Sequence, residues 1–111
     1  MKSKYQKVGL DFDLIQSKYK DINEYEQTVT AFFEDPHFEE LKAFIDDGDY
    51  AMAKDACKGL YTLSLELYLM PLYMILVDIY EDLEYEEYKG LSAKYEEMYQ
   101  KYKEIKAIFY A

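Results

Sequence analysis

Apolar positions recur in steps of three and four along most of the chain, the period of helices with one buried side. Phe12, Ile15 and Tyr19 share a side of a short helix that begins at Asp11-Phe12-Asp13. Ile22, Tyr25, Val29, Phe32 and Phe33 continue the spacing and predict a helix to about residue 33, with Asp21 and Glu24 as a capping-box-like start. Asp35-Pro36 is a second start signal, a capping carboxylate with proline at the first helical position. Phe38, Leu41, Phe44 and Ile45 form the apolar side of the helix that follows, which ends at Gly48. The turn Asp47-Gly48-Asp49 then opens a helix from Tyr50 to about Leu67, with Asp49 as its N-cap. Ala53, Ala56, Cys57, Leu60, Ser64 and Leu67 make its narrow buried stripe.

Residues Leu67 to Val77 carry no charge. A membrane span needs about 20 such residues, so this run predicts a buried bend and a core helix. Pro71 divides it, ending one helix and starting the next, which takes Ile75, Ile79 and Leu83 inward and then becomes acidic. Gly90 interrupts, and Ser92 is the predicted cap of a final helix. There Tyr88, Leu91, Tyr95, Met98, Tyr102, Ile105 and Phe109 form a packing seam. Residues 1 to 9 are polar and predict a frayed end. The expected fold is all-α: a single domain over residues 1–111, with an antiparallel four-helix bundle at about 36–47, 50–68, 71–88 and 91–109, and one or two extra N-terminal helices.

Composition narrows the function classes. Net charge is −10 and every basic residue is lysine. Without arginine forks or a basic patch, nucleic acid is excluded as a partner, and an anionic membrane surface would repel the chain. One cysteine permits no internal disulfide and no Cys-based zinc cage, and Cys57 falls on the buried stripe as a small hydrophobe. The start Met1-Lys2-Ser3-Lys4 lacks the apolar run of a signal peptide, which predicts a cytoplasmic protein. His37, the only histidine, reads as a solvated residue at a helix start. Asp46, Asp47, Asp49 and Asp55 lack calcium-loop spacing and read as turn and cap residues, so no metal and no cofactor is expected. The 14 tyrosines are expected to line the core edge with their hydroxyls in water.

The outer side of the 50–68 helix is the candidate site: Ala51, Asp55, Lys58, Thr62 and Leu65, bordered by Gly59. Glycine inside a helix costs about 1 kcal/mol relative to alanine, so Gly59 asks for a reason such as the close approach of another molecule. Asp55 and Lys58 are expected to form an exposed ion pair one turn apart.

Gly48-Asp49-Tyr50 followed by Asp55-Ala56-Cys57-Lys58-Gly59 resembles the histidine phosphotransfer (HPt) domain family, whose site helix reads His-x-x-Lys-Gly after a Gly-Asp-aromatic turn. Tyr25, Phe32, Phe33, Phe38, Leu41 and Ile45 are similar to the family's preceding helices, and the likeness covers roughly residues 8 to 85. Asp55 stands where the family has its phosphorylated histidine, while Lys58 and Gly59 are kept. The resemblance implies a degenerate phosphorelay domain of two-component signalling. Such a protein is not an enzyme; it docks a receiver domain or histidine kinase without accepting phosphate. The alternative is a generic helical interaction or oligomerisation module that uses the seam of the last helix.

Overall fold

Seven helices account for most of residues 2–110, the part of the chain that the computed structural model describes: α1 (Lys2–Lys7), α2 (Phe12–Lys18), α3 (Ile22–Phe33), α4 (His37–Asp46), α5 (Tyr50–Glu66), α6 (Met70–Glu84) and α7 (Leu91–Tyr110). No strand occurs among the described residues, and the structure is compact and all-helical. Three helices, rather than one or two, precede α4.

Local chemistry sets the helix starts. The carboxylates of Asp11, Asp21 and Asp49 accept from the backbone N–H three residues on, at 3.1, 3.2 and 3.3 Å, and so satisfy donors that the first turn leaves free. Asp35 accepts from the N–H of His37 at 2.9 Å, so the predicted signal works one residue later, with Pro36 itself at the cap position. Ser92 does not cap α7, because the helix already begins at Leu91.

Four helix ends share one device, a residue with left-handed φ just past the last turn and two backbone bonds that close over it. It is Gly9 after α1, Gly48 after α4, Tyr68 after α5 and Glu86 after α6, with φ of 78, 72, 58 and 57°. After α5, for example, the N–H groups of Tyr68 and Leu69 donate to the carbonyls of Leu65 and Ser64 at 3.1 and 2.8 Å. The end at Glu86 shortens α6: the helix stops at Glu84, not near residue 88, and Tyr88 stacks on Tyr50 in the connection at a ring separation of 3.7 Å.

The buried residues form one cluster to which every helix contributes. Helix α5 packs on α4 and α6, and α7 packs on α6, α3 and α4. The connections from α4 to α5 and from α5 to α6 are three residues each, which turns successive helices back alongside one another. The stripe of α5 is buried as expected, from Ala53 to Leu67. On α6 the buried side is Leu72, Leu76, Ile79 and Leu83, with Ile75 only half-buried. The charge-free run is therefore core on one side only. Met70 and Met74 fall on the opposite side of α6 and are exposed, because positions four apart stay on one face of a helix.

Residues 2–7 are not frayed. Tyr5 is fully buried against Phe12, Tyr25 and Phe109, and its hydroxyl donates to Glu26 at 2.7 Å. A single aromatic residue in a polar stretch anchors this helix, which periodicity cannot detect. Other tyrosines also reach inward. The hydroxyls of Tyr19 and Tyr25 donate to the carbonyls of Glu66 and Leu67 at the end of α5, at 2.7 and 2.6 Å, and that of Tyr102 donates to Phe33 at the end of α3, at 2.8 Å. These carbonyls have no partner within their own helices. Tyrosine fills the core and closes the helix ends with one side chain. Among the described residues no buried side-chain nitrogen or oxygen lacks a partner.

Candidate functional site

Helix α5 presents the face that the sequence singled out. Ala51, Asp55, Lys58, Gly59, Thr62 and Leu65 are all exposed, with Leu65 at 45%. The face is displayed because Ala53, Ala56, Cys57, Leu60 and Ser64 commit the other side of the helix to α4 and α6. Cys57 has no exposed surface, and its thiol donates to the Leu76 carbonyl at 3.1 Å. Burial pushes that thiol up to about 12, so it stays protonated and unreactive at neutral pH. Ser64 satisfies its buried hydroxyl by donating to the Leu60 carbonyl at 2.8 Å, within its own helix.

The expected Asp55–Lys58 pair is absent: no ion pair among the described residues joins them or uses either one. A spacing of three residues permits the contact, but two exposed side chains gain only a few tenths of a kcal/mol by making it. A carboxylate and an ammonium group thus stand unpartnered one turn apart. Thr62 is turned inward to its own backbone, donating to the Lys58 carbonyl at 2.8 Å.

Gly59 is the most informative position. A Cβ placed on it would meet nothing within 4 Å, and its φ is not left-handed. Nothing inside the chain requires glycine there. Gly9 is the contrast: its φ is 78° and a Cβ would meet the Pro71 ring at 3.2 Å, so internal structure explains it fully.

Helix α6 brings Tyr73, Tyr80 and Glu84 to the α5 residues Lys54 and Tyr61 beside this face, contacts that the sequence did not place. Lys54 pairs with Glu84 and lies over the Tyr80 ring. Tyr61 stands between Tyr73 and Tyr80, with ring centroids 6.1 and 5.2 Å away. Five of the eight exposed large hydrophobic side chains belong to α5 and α6, namely Met52, Leu63, Leu65, Met70 and Met74, so the apolar exposure is concentrated on this helix pair. The four-residue spacing of Met70 and Met74, out of step with Leu72, Leu76, Ile79 and Leu83, was the available signal for them.

His37 belongs elsewhere. Its Nδ1 lies 2.6 Å from the Asp35 carboxylate at the start of α4, which engages the ring at its own helix end. Among the described residues no group of three or more His, Cys, Asp or Glu side chains is placed to hold a metal ion, and no helix is long and apolar enough to cross a membrane. No protein-family model, curated protein or solved structure matches the chain.

Proposed function

We propose that this chain is a pseudo-phosphotransfer domain of the HPt type, in which α4 to α7 form an antiparallel four-helix bundle. It docks a receiver or histidine kinase domain on the exposed face of α5 and passes no phosphoryl group. The observation that carries this reading is Gly59, a mid-helix glycine on an open face that the fold does not need. An incoming partner backbone or side chain supplies the missing reason. Lys58 and Asp55, unpaired beside it, are free to meet charges on that partner, and Leu65 gives it an apolar anchor.

Loss of phosphotransfer follows from the chemistry of Asp55. An imidazole accepts a phosphoryl group as a neutral nucleophile, whereas a carboxylate brings a second negative charge against the phosphoryl oxygens. Metal ions offset such charge where carboxylates are used. Here the face offers one lysine and no cluster of further ligands. The seam of α7 supports the alternative module poorly. Leu91, Tyr95, Met98, Tyr102 and Ile105 are buried inside the chain, and the Tyr95 hydroxyl donates to the Phe38 carbonyl at 2.8 Å.

The test measures phosphotransfer and binding together, with phosphorylated receivers and autophosphorylated kinases from the same genome. The wild type should take up no phosphate yet bind one of these domains, and Asp55→Arg should weaken that binding. Phosphate uptake that survives His37→Ala and disappears in Asp55→Ala would overturn the silent-domain reading. Absence of binding to every receiver and kinase tested would overturn the docking reading.

A further inference from the structure

Away from the residues of the α5 face, α4 and α7 border a groove, built of three cavities of about 90, 240 and 170 Å³, none of them lined by an α5 residue. Neighbouring cavities share residues: Lys42, Tyr95 and Glu96 join the first to the second, and Glu39 and Tyr99 join the second to the third. From Ser92 to Lys106 along α7 the groove runs about 21 Å, the reach of about six extended residues. None of these three cavities attains the roughly 300–1,000 Å³ of a typical small-molecule site. The shape suits a chain segment that sends side chains into successive depressions.

Charge selects the segment. Glu34, Asp35, Glu39, Asp46 and Glu96 line the groove against two lysines. Lys42 is paired with Asp46 at 2.8 Å, and Lys106 donates to the Tyr102 hydroxyl at 3.3 Å. Glu39 and Glu96, on either side of the 240 Å³ cavity, are in no ion pair among the described residues. Tyr95, Tyr99 and Lys42, which Asp46 holds, complete its wall, and the two tyrosine rings are nearly parallel, 6.0 Å apart and inclined by 16°. Aromatic faces attract cations, and Tyr99 already has Lys103 at 5.3 Å from its centroid, a residue that does not line the cavity.

We infer that the α4/α7 groove is a second docking surface, independent of the α5 face, which takes a basic segment of a partner protein and seats one lysine or arginine side chain against Tyr99 between Glu39 and Glu96. The carboxylates supply charge-assisted hydrogen bonds, and the rings cover the aliphatic stem.

The probe is a synthetic peptide of about six residues with one arginine flanked by lysines. Binding is followed at low salt by calorimetry and by amide shifts of the isotope-labelled protein. Two variants of equal charge are compared, Glu39→Gln/Glu96→Gln in the groove and Glu86→Gln/Glu87→Gln in the α6–α7 connection, together with Tyr99→Ser. Saturable binding with shifts centred on residues 39, 95, 96 and 99 is expected. The groove variant should lose about tenfold or more in affinity, because two hydrogen bonds to charged groups become bonds to neutral amides. The connection variant should change little, and Tyr99→Ser should weaken binding at unchanged net charge. Equal losses in the two charge variants would overturn the proposal, because they would mean diffuse attraction to an acidic protein. Absence of saturable binding, or shifts centred on α5, would overturn it as well.

Discussion

Replacing Gly59 by alanine separates what the fold needs from what a partner needs. Alanine is more favourable than glycine in a helix interior by about 0.8–1.0 kcal/mol, because glycine loses more backbone freedom on folding. Beyond its own helical backbone and chain neighbours the added methyl group meets no atom within 4 Å in the isolated chain, so no clash offsets this gain. Unfolding entropy is about 2.1 cal/mol/K per residue, and for 111 residues a gain of about 1 kcal/mol raises Tm by about 4 °C. In a docked complex the same methyl enters a packed interface, where overfilling costs about 1–3 kcal/mol, or roughly 5- to 150-fold in affinity. Thermal unfolding followed by circular dichroism reads the first effect, and calorimetric titration of the receiver or kinase domain reads the second. The expected result is a more stable protein that binds more weakly. A destabilised Gly59→Ala would show that the fold itself requires glycine, and the argument from open space would fail. A stabilised variant with unchanged affinity would remove the main support for docking at this face.

Three further outcomes follow from the packing. Cys57 is buried and its thiol is held protonated, so thiol reagents should label the native protein only at the rate of its opening; fast labelling would refute the assigned orientation of α5. Burial raises Tyr5, Tyr25 and Tyr95 above the ordinary tyrosine value of 10.0, so the folded state holds protons that the unfolded chain releases. Their stabilising contribution is complete below pH 10 and falls above it, by about 1.4 kcal/mol per pH unit for each group, and denaturant midpoints measured across alkaline pH should fall steeply from there. Glu86 holds a left-handed φ of 57° without glycine, so Glu86→Gly should stabilise the protein by about 0.5–1 kcal/mol in denaturant unfolding, where a loss would refute the end-of-helix assignment.

The sequence alone determined the helices whose apolar stripes repeat and whose starts carry a short carboxylate. The stripe of α5 from Ala53 to Leu67, the Asp21 and Asp49 caps and the exposed face through Asp55, Lys58 and Leu65 were all legible, because helical period and cap chemistry are local properties. Tertiary structure alone decided the rest. The end of α6 at Glu84 depends on a left-handed glutamate that has no compositional signature. The α1 helix depends on Tyr5, whose partners Phe12, Tyr25 and Phe109 lie 7, 20 and 104 positions away. The groove between α4 and α7 joins side chains from 33 to 106, and its charge pattern exists only once those helices lie side by side. Even the separation of Asp55 from Lys58 escaped local reasoning, since spacing permits an ion pair but solvent competes for both charges. Periodicity reports which side of a helix is buried. Which helices meet, and what their open edges bring together, is set by packing among residues distant in sequence.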